Sequence, residues 1–305
     1  MYKITFIALN LTHNLDYERQ DFESQLDNLS RCIMLSYLEA KKKHPDNKVI
    51  VAWREYGLCN GKPLTESETG LFKKRMALLT QKRDIIIIAG TILSKKVIQS
   101  DRHVDKITAV SEAYKRYSFI SDLERNNQQE RTFEKYKNNF IRNMSKENFL
   151  KVKNTCYIFS DGSKKYKRNK IAPYSEVSNK IIQDFTYGFS EQTWMFNFEE
   201  GNKLLDLSIE VCLEHSIGLL KYLVSSGQIC APKIHLILAD SNTFEPDYAC
   251  GDITIRIDSD PDDSINVVVA NNKQFEDFIV YQVDPYSPKT ELKLIQPTLL
   301  NYPKL

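Results

Sequence analysis

The chain has 305 residues, of which 42% are hydrophobic, so it is long enough to bury a substantial core as one domain. Its 42 basic residues nearly balance its 40 acidic ones, which gives no reason to expect nucleic acid or an anionic membrane as a partner. The six cysteines are scattered without CxxC pairs or a metal-ligand pattern of histidines, so the sequence indicates neither a zinc site nor a disulfide scaffold and favours a cytoplasmic protein with free thiols.

The first part of the sequence predicts a strand followed by a helix. KITFIALNL at 3–11 alternates polar and apolar residues, which predicts a strand at a sheet edge or half-buried. Residues 25–43 predict a helix, because largely apolar positions recur at helical spacing on one face. These positions are Leu26, Leu29, Ile33, Tyr37 and Ala40.

Two strands and a second helix are predicted next. NKVIVAWREYGL at 47–58 contains a short buried strand, and residues 65–83 predict a helix whose first acidic residues suit its positive N-terminal dipole. DIIIIAGTIL at 84–93 predicts one strand buried on both faces. The longest apolar run, IIIIAGTIL at 85–93, is too short to span a bilayer, and the first residues lack the features of a signal peptide. We therefore expect a soluble protein without stable membrane insertion.

The composition changes at 101–150, which is heavily charged, contains several aromatic residues and has no Gly or Pro. We expect a helical surface insertion there, and an element that contacts a partner or a membrane surface is the alternative. The rest of the sequence predicts mostly strands, including a pair joined by an Asp161-Gly162 turn and a second pair around a glycine within 194–212. Later strands lie in KIHLILADSNTF, ACGDITIRIDS and INVVVANN. This order of elements is typical of a layered α/β domain.

Cys212 stands where a predicted strand changes into a helix. The residues before it alternate between apolar and polar, whereas apolar residues after it recur at roughly helical spacing. A cysteine in such a turn can project its sulfur while the following helix stabilises the thiolate, as a nucleophile requires. The alternative is an inert cysteine that fills the core, which is the commoner role of free cysteines.

A thiol nucleophile needs a base and a cation, and two other residues can supply them. Glu55 lies just past a buried strand, at the end where α/β proteins place their ligand sites, although a solvated glutamate is the alternative. Lys170 ends the second strand of the Asp161-Gly162 hairpin, although the basic run around it is also typical of a solvated face. None of the five histidines lies in a convincing motif. They are His13, His44, His103, His215 and His235.

Three stretches together resemble motifs of the nitrilase, or carbon-nitrogen hydrolase, superfamily. VIVAWREYGL resembles its glutamate motif, DGSKKYKRNKIAPYSE its lysine motif and LSIEVCLEHSIGLLK its cysteine motif. The last is the most specific, because nitrilases commonly carry Cys-Trp-Glu-His before a leucine-rich helix and this chain has CLEH at 212–215. The resemblance covers a carbon-nitrogen hydrolase-like domain at 1–285, with 101–150 as an insertion and 286–305 as a C-terminal tail.

The resemblance implies a four-layer αββα sandwich that is typically a homodimer formed through its helices. It implies Glu55 as general base, Lys170 as stabiliser of the tetrahedral intermediate and Cys212 as nucleophile, with a small amide or nitrile as substrate and neither a metal nor an organic cofactor. Four further residues are candidates for binding the substrate. They are Glu176 after the lysine, Glu214 after the cysteine, and Asp240 and Asn242 in a later loop for which a polar turn is the alternative.

The sequence also departs from the family. Arg54 stands where the family has a proline, either placing a charge near the site or pointing to solvent, and Leu213 replaces an aromatic residue. Lys167 is an alternative to Lys170 as the family lysine.

The predicted function is therefore a cysteine-dependent hydrolase of a nonpeptide carbon-nitrogen bond, an amidase rather than a nitrilase, acting through a thioester. The alternative is a catalytically inactive nitrilase-fold protein with a binding or regulatory role. A conventional Cys-His hydrolase using His215 is disfavoured, because that residue lies in the same helical turn as Cys212.

Overall fold

We describe the fold from a computed structural model. It describes residues 3–11, 15–59, 62–96, 150–170, 181–183, 194–200, 203–270, 278–287 and 290–300. The insertion predicted at 101–150 lies outside the described residues except for Leu150, and so does the candidate Glu176.

The described residues form a mixed α/β structure with two sheets and few helices. The helices are α1 (Leu15–Glu18), α2 (Phe22–Lys43), α3 (Glu66–Thr80), α4 (Leu213–Ser216) and α5 (Leu219–Ser225). The strands that precede the hairpin turn are β1 (Ile4–Leu9), β2 (Lys48–Trp53), β3 (Ile85–Ile88), β4 (Ile92–Lys96) and β5 (Leu150–Ser160). Later strands are β6 (Ser163–Asn169), β7 (Ile181–Gln183), β8 (Phe196–Glu200), β9 (Lys203–Val211), β10 (Ile234–Leu238), β11 (Ile253–Ile257), β12 (Ile265–Ala270), β13 (Phe278–Val283), β14 (Lys293–Leu294) and β15 (Thr298–Leu300).

The two sheets have different strand orders. The first runs β14-β13-β1-β2-β3-β5-β4, with β6 and β7 also paired to β5, and its strands β13, β1, β2 and β3 are parallel. The second runs β15-β12-β11-β10-β9-β8, and its strands β9, β10 and β11 are parallel. Each sheet thus has a set of parallel strands whose carboxyl ends meet at one edge, the usual position of ligand sites in α/β folds.

The core has two parts. One apolar cluster joins alternate residues of the first sheet to α2 and α3, and the other joins the remaining face of that sheet to the second sheet. In β1, for example, Ile7 belongs to the first cluster and Phe6 to the second. The prediction of β1 as an edge or half-buried strand is therefore wrong: it pairs with β2 and β13 and all six of its residues are buried.

The predicted strand at 84–93 is also corrected, because it is two strands. β3 ends at Ile88 and β4 begins at Ile92, and both pair with β5. Gly90 lies in the break, and a Cβ on it would come within 2.0 Å of the Arg54 carbonyl oxygen. Only a residue without a Cβ can lie this close to the residues before Glu55, so the position requires glycine.

The predicted helices at 25–43 and 65–83 are confirmed by α2 and α3. Asp21 caps α2 by accepting a hydrogen bond from the Ser24 amide, and Thr65 with Glu68 forms a capping box at α3. The predicted hairpin is confirmed by β5 and β6, with Asp161 and the following glycine at positive φ. No helix within the described ranges is long and apolar enough to cross a membrane.

The segment predicted as a C-terminal tail from 286 contributes strands to both sheets. β14 pairs with β13 in the first sheet, and β15 pairs with β12 in the second. These short strands therefore extend one side of each sheet.

Candidate active site

The predicted catalytic residues come from both sheets. Glu55 follows β2, Lys170 follows β6 and Cys212 follows β9. Glu55 and Lys170 have fully buried side chains, whereas Lys167 is exposed on β6. The lysine that contacts Glu55 is therefore Lys170.

Glu55 lies in a buried polar cluster. The Lys170 Nζ atom donates to its Oε1 at 3.0 Å, and the Asn154 side-chain amide donates to the same oxygen at 2.6 Å. Asn154 also donates to the Tyr56 hydroxyl at 2.9 Å. The second carboxylate oxygen, Oε2, is buried and has no hydrogen-bond partner among the described residues. This oxygen is the one available to accept a proton.

The environment acts on the protonation of both members of this pair. Burial raises the pKa of Glu55, although Lys170 and Asn154 partly oppose the rise. Burial alone would lower the pKa of Lys170, but the charges of Glu55, Cys212 and Glu214 outweigh burial and raise it. Lys170 therefore stays protonated while Glu55 becomes a stronger base, and Lys170 interacts electrostatically with Cys212.

Cys212 occupies a strained backbone conformation between β9 and α4. Its φ is 50° and its ψ is −108°, values that an L-residue adopts only when the surrounding structure holds them. Its amide donates to the Leu238 carbonyl at 2.9 Å, and its own carbonyl accepts from the His215 amide and the Asn242 side chain, each at 2.9 Å. The Cys212 sulfur lies 3.9 Å from the Asp240 carbonyl oxygen, and the residue is 6% exposed.

Two of the residues predicted to bind substrate support this turn. The Glu214 carboxylate accepts from the Val211 amide at 2.9 Å and from the fully buried Arg168 at 2.8 Å. The Asn242 side chain donates to the Cys212 carbonyl and accepts from Ser216 at 2.6 Å. Both side chains make contacts that orient the segment carrying Cys212.

Arg54 and Asp240 form a second ion pair beside this turn. Arg54 is 3% exposed, donates to Asp240 Oδ1 at 2.7 Å and also donates to the carbonyls of Leu11 and Glu55. The Asp240 side chain is 24% exposed, so this pair reaches from the interior towards solvent. Two alternatives were given for Arg54, a charge near the site or a side chain that points to solvent. The structure has the first.

A third charged cluster lies on the far face of the second sheet. One oxygen of Glu210 accepts from His215 Nδ1 at 3.0 Å and from His235 Nε2 at 2.9 Å, and all three residues are fully buried. Their potential ligand atoms lie within 4.8 Å of one another, so among the described residues this group has the composition of a metal site. Its hydrogen bonds decide whether a metal fits there.

The His215 ring is not oriented to act as a base for Cys212. Its Nδ1 contacts Glu210, and its Nε2 accepts from the Glu245 amide at 3.2 Å. The ring also stacks on Phe244 at a centroid separation of 5.6 Å. These contacts agree with the expectation that a conventional Cys-His pair is disfavoured.

Several residues of the site were not predicted from sequence. Asn154 lies inside a strand and carries no motif, and Arg168 belongs to a basic run that is typical of a solvated face. Glu210 is one of the polar residues of the alternating strand before Cys212, and nothing in the sequence distinguishes it from the others. For Arg168 the sequence did contain a signal. Side chains two residues apart in a strand lie on the same face, so Arg168 lies on the same face as Lys170.

Comparisons with known proteins leave the family open. No family model matches the chain, and no curated protein matches it. One similar solved structure is the glutamine-dependent NAD+ synthetase of Acinetobacter baumannii in complex with ADP, with 14% identity over 71% of this chain and 30% of that chain, at a TM-score of 0.36. Another is the glutamine-dependent NAD+ synthetase of Cytophaga hutchinsonii, with 11% identity over 78% of this chain and 33% of that chain, at a TM-score of 0.35.

The chain therefore spans only about a third of the length of these two structures. Similarity at this level does not assign the chain to a family, so its function has to be inferred from the site.

Proposed function

We propose that the chain hydrolyses a nonpeptide carbon-nitrogen bond, that of an amide rather than a nitrile, with Cys212 as nucleophile. The observation that carries the proposal is the buried ion pair of Glu55 and Lys170, whose charged atoms lie 3.0 Å apart, and Cys212 is among the groups that raise the pKa of Lys170. A buried base, a buried cation and a thiol in a strained turn are the groups that acyl transfer through a thioester needs.

The proposed reaction has two halves. In the first, Glu55 takes the thiol proton, the sulfur bonds to the carbonyl carbon, and Lys170 stabilises the negative oxygen of the tetrahedral intermediate. The intermediate collapses to a thioester as the carbon-nitrogen bond breaks, and Glu55 returns the proton to the departing ammonia or amine. In the second half, Glu55 takes a proton from water as the water oxygen attacks the thioester carbon, the carbon-sulfur bond breaks to free the carboxylic acid, and Glu55 returns the proton to the Cys212 sulfur.

Two features of Glu55 suit this role. Its Oε2 has no hydrogen-bond partner within the described part of the chain, so it can accept a proton without breaking an existing contact. The raised pKa that burial causes makes the carboxylate a stronger base. Asn154 and Lys170 both hold the other oxygen, which fixes the orientation of the carboxylate.

We also propose that the fold is a four-layer αββα sandwich. The two apolar clusters support this arrangement, because one joins α2 and α3 to the first sheet and the other joins the two sheets. On the remaining face of the second sheet, α4 contacts β9 and the buried Leu219, Leu220 and Leu223 lie in α5. These short helices would provide the fourth layer.

The test measures ammonia release from acetamide, propionamide, benzamide, glutamine and benzonitrile by the wild type and by Cys212→Ala. We expect the variant to lose all detectable release, while Cys230→Ala, which removes an exposed cysteine, keeps the wild-type rate. Mass spectrometry of the wild type during turnover should detect the acyl group on the peptide that contains Cys212.

Alkylation with iodoacetamide tests the same assignment without a substrate. At about pH 6.5 ordinary thiols are mostly protonated, so we expect Cys212 to react faster than Cys230 although it is far less exposed. If no compound releases ammonia and Cys212 reacts no faster than Cys230, the proposed hydrolase is wrong. The nitrilase-fold binding protein is then the better description.

A further inference from the structure

A single buried carboxylate, that of Glu210, joins the elements around the Cys212 turn. Glu210 lies on β9, two residues before Cys212. Its Oε1 accepts from the Leu220 amide of α5 at 2.6 Å. Its Oε2 accepts from His215 on α4 and His235 on β10. Four elements therefore meet at one negative charge.

The direction of the outer hydrogen bonds determines where the histidine protons are. The Glu245 amide donates to His215 Nε2 at 3.2 Å, and the Cys250 amide donates to His235 Nδ1 at 3.4 Å. A backbone amide can only donate, so both outer nitrogens must be unprotonated acceptors. Each neutral ring therefore carries its proton on the inner nitrogen and donates it to Glu210.

This arrangement excludes a fitting metal site. A metal ion would need the lone pairs of the inner nitrogens, which would move each ring proton to the outer nitrogen. There it would face a backbone N–H group, on Glu245 for one ring and on Cys250 for the other. The cluster is therefore built as a hydrogen-bonded anion with neutral histidine donors.

His215 connects this cluster directly to the nucleophile. Its ring donates to Glu210, and its backbone amide donates to the Cys212 carbonyl at 2.9 Å. Its helix, α4, has only four residues and is too short to be stable without external contacts. His235, in contrast, lies on β10, whose position is also fixed by ladders with β9 and β11.

We propose that Glu210 and His215 are positioning residues that hold the strained backbone of Cys212. Their role is to keep α4 and the Cys212 carbonyl in place, Glu210 through its hydrogen bond with the His215 ring and His215 through its backbone amide. The mechanistic value of this role rests on the proposed function, because a nucleophile misplaced by about 1 Å loses about a hundredfold in rate. The geometric role can be tested without any substrate.

The experiment compares His215→Phe with His235→Phe, which remove matched donors to the same Glu210 oxygen and keep an aromatic ring. Hydrogen exchange is measured on full-length protein for the peptide that covers 211–218. We expect exchange there to be about ten- to hundredfold faster in His215→Phe than in wild type, as for a lost hydrogen bond to a buried charge. The increase should be clearly smaller in His235→Phe.

His215→Asn is the conservative variant, because its side-chain amide can donate from about the place of Nδ1. It should restore much of the wild-type exchange protection at 211–218. The change in the rate of Cys212 alkylation by iodoacetamide, relative to wild type, should rank the variants in the same order as the change in exchange. Equal exchange in His215→Phe and His235→Phe would overturn the proposal. So would stoichiometric Zn²⁺ binding to the wild type that His215→Phe abolishes.

The two proposals fail in different ways. If exchange at 211–218 follows the expected order but wild-type Cys212 is unreactive and no ammonia is released, the positioning role stands and the hydrolase is wrong. If the wild type is active and its Cys212 reactive while the two phenylalanine variants exchange alike, the hydrolase stands and the positioning role is wrong.

Discussion

Glu55 and Glu210 are both fully buried glutamates, yet their carboxylates differ in how completely they are hydrogen-bonded. One oxygen of Glu55 accepts two hydrogen bonds and the other has no partner among the described residues. Glu210 receives donors on both oxygens, from Leu220, His215 and His235. The cost of burial is thus fully offset for Glu210 and only partly for Glu55.

The opposite pKa shifts follow from this difference. Burial raises the pKa of Glu55 despite the nearby Lys170. Burial would also raise the pKa of Glu210, but its hydrogen bonds from His215 and His235 outweigh burial and lower the pKa. A carboxylate with an unused oxygen and a raised pKa is suited to move protons, whereas one with every oxygen engaged is suited to hold structure.

The largest effect that separates the two residues is expected from Glu55→Gln. The amide cannot take the thiol proton, so the rate of ammonia release should fall by about 10²- to 10⁴-fold. The side-chain oxygen of the glutamine can still accept from Asn154 and Lys170, so hydrogen exchange at 211–218 should stay as in wild type. A variant that keeps wild-type turnover would show that Glu55 is not the base.

The same substitution at the other glutamate, Glu210→Gln, should act on stability. An amide group has one acceptor oxygen, so at least one of the three buried donors would face another donor and lose its partner. We expect the free energy of unfolding to fall by about 1–3 kcal/mol, measured by urea denaturation. Exchange at 211–218 should also increase.

The matched control for Glu210→Gln is Glu66→Gln, on the exposed first turn of α3. It makes the same chemical change where water can solvate either side chain, so its stability should change by no more than about 0.5 kcal/mol. If Glu210→Gln were equally mild, the donors around Glu210 would not stabilise the fold as the structure indicates.

The contrast also explains how far sequence could predict this molecule. The period of apolar residues predicted most strands and both long helices, and the change of period at Cys212 predicted the junction of β9 with α4. Glu55 was recognisable because it follows a buried strand. These features depend on neighbours in sequence, and periodicity reports such features well.

Contacts between distant parts of the chain were not predictable in this way. Asn154 donates to a glutamate 99 positions away, and no local pattern distinguishes it from other polar strand residues. The sequence predicted β1 as an edge strand, because its central position in the sheet depends on pairing with β13, which comes from the far end of the sequence. The hydrogen bond between Glu210 and His235 likewise joins residues 25 positions apart on different strands.

The smallest effect we expect concerns acid stability. Burial lowers the pKa of His215 below its ordinary value of 6.5, with Glu210 partly opposing the shift. The unfolded chain therefore binds a proton there that the folded protein does not, so this contribution to stability is present above pH 6.5 and is lost as pH falls towards the folded pKa. Glu210, with its own lowered pKa, extends the loss in the same direction below its ordinary value of 4.5.

Urea denaturation at several pH values measures this contribution in the wild type and in His215→Phe. Below pH 6.5 the wild type should lose up to about 1.4 kcal/mol per pH unit more than the variant, the slope for one proton. Glu55 contributes with the opposite sign, because its raised pKa favours the folded protein as acid protonates it. Glu55→Gln should therefore steepen the acid loss of stability while His215→Phe flattens it, and equal slopes in the two variants would contradict the opposite contributions of Glu55 and His215.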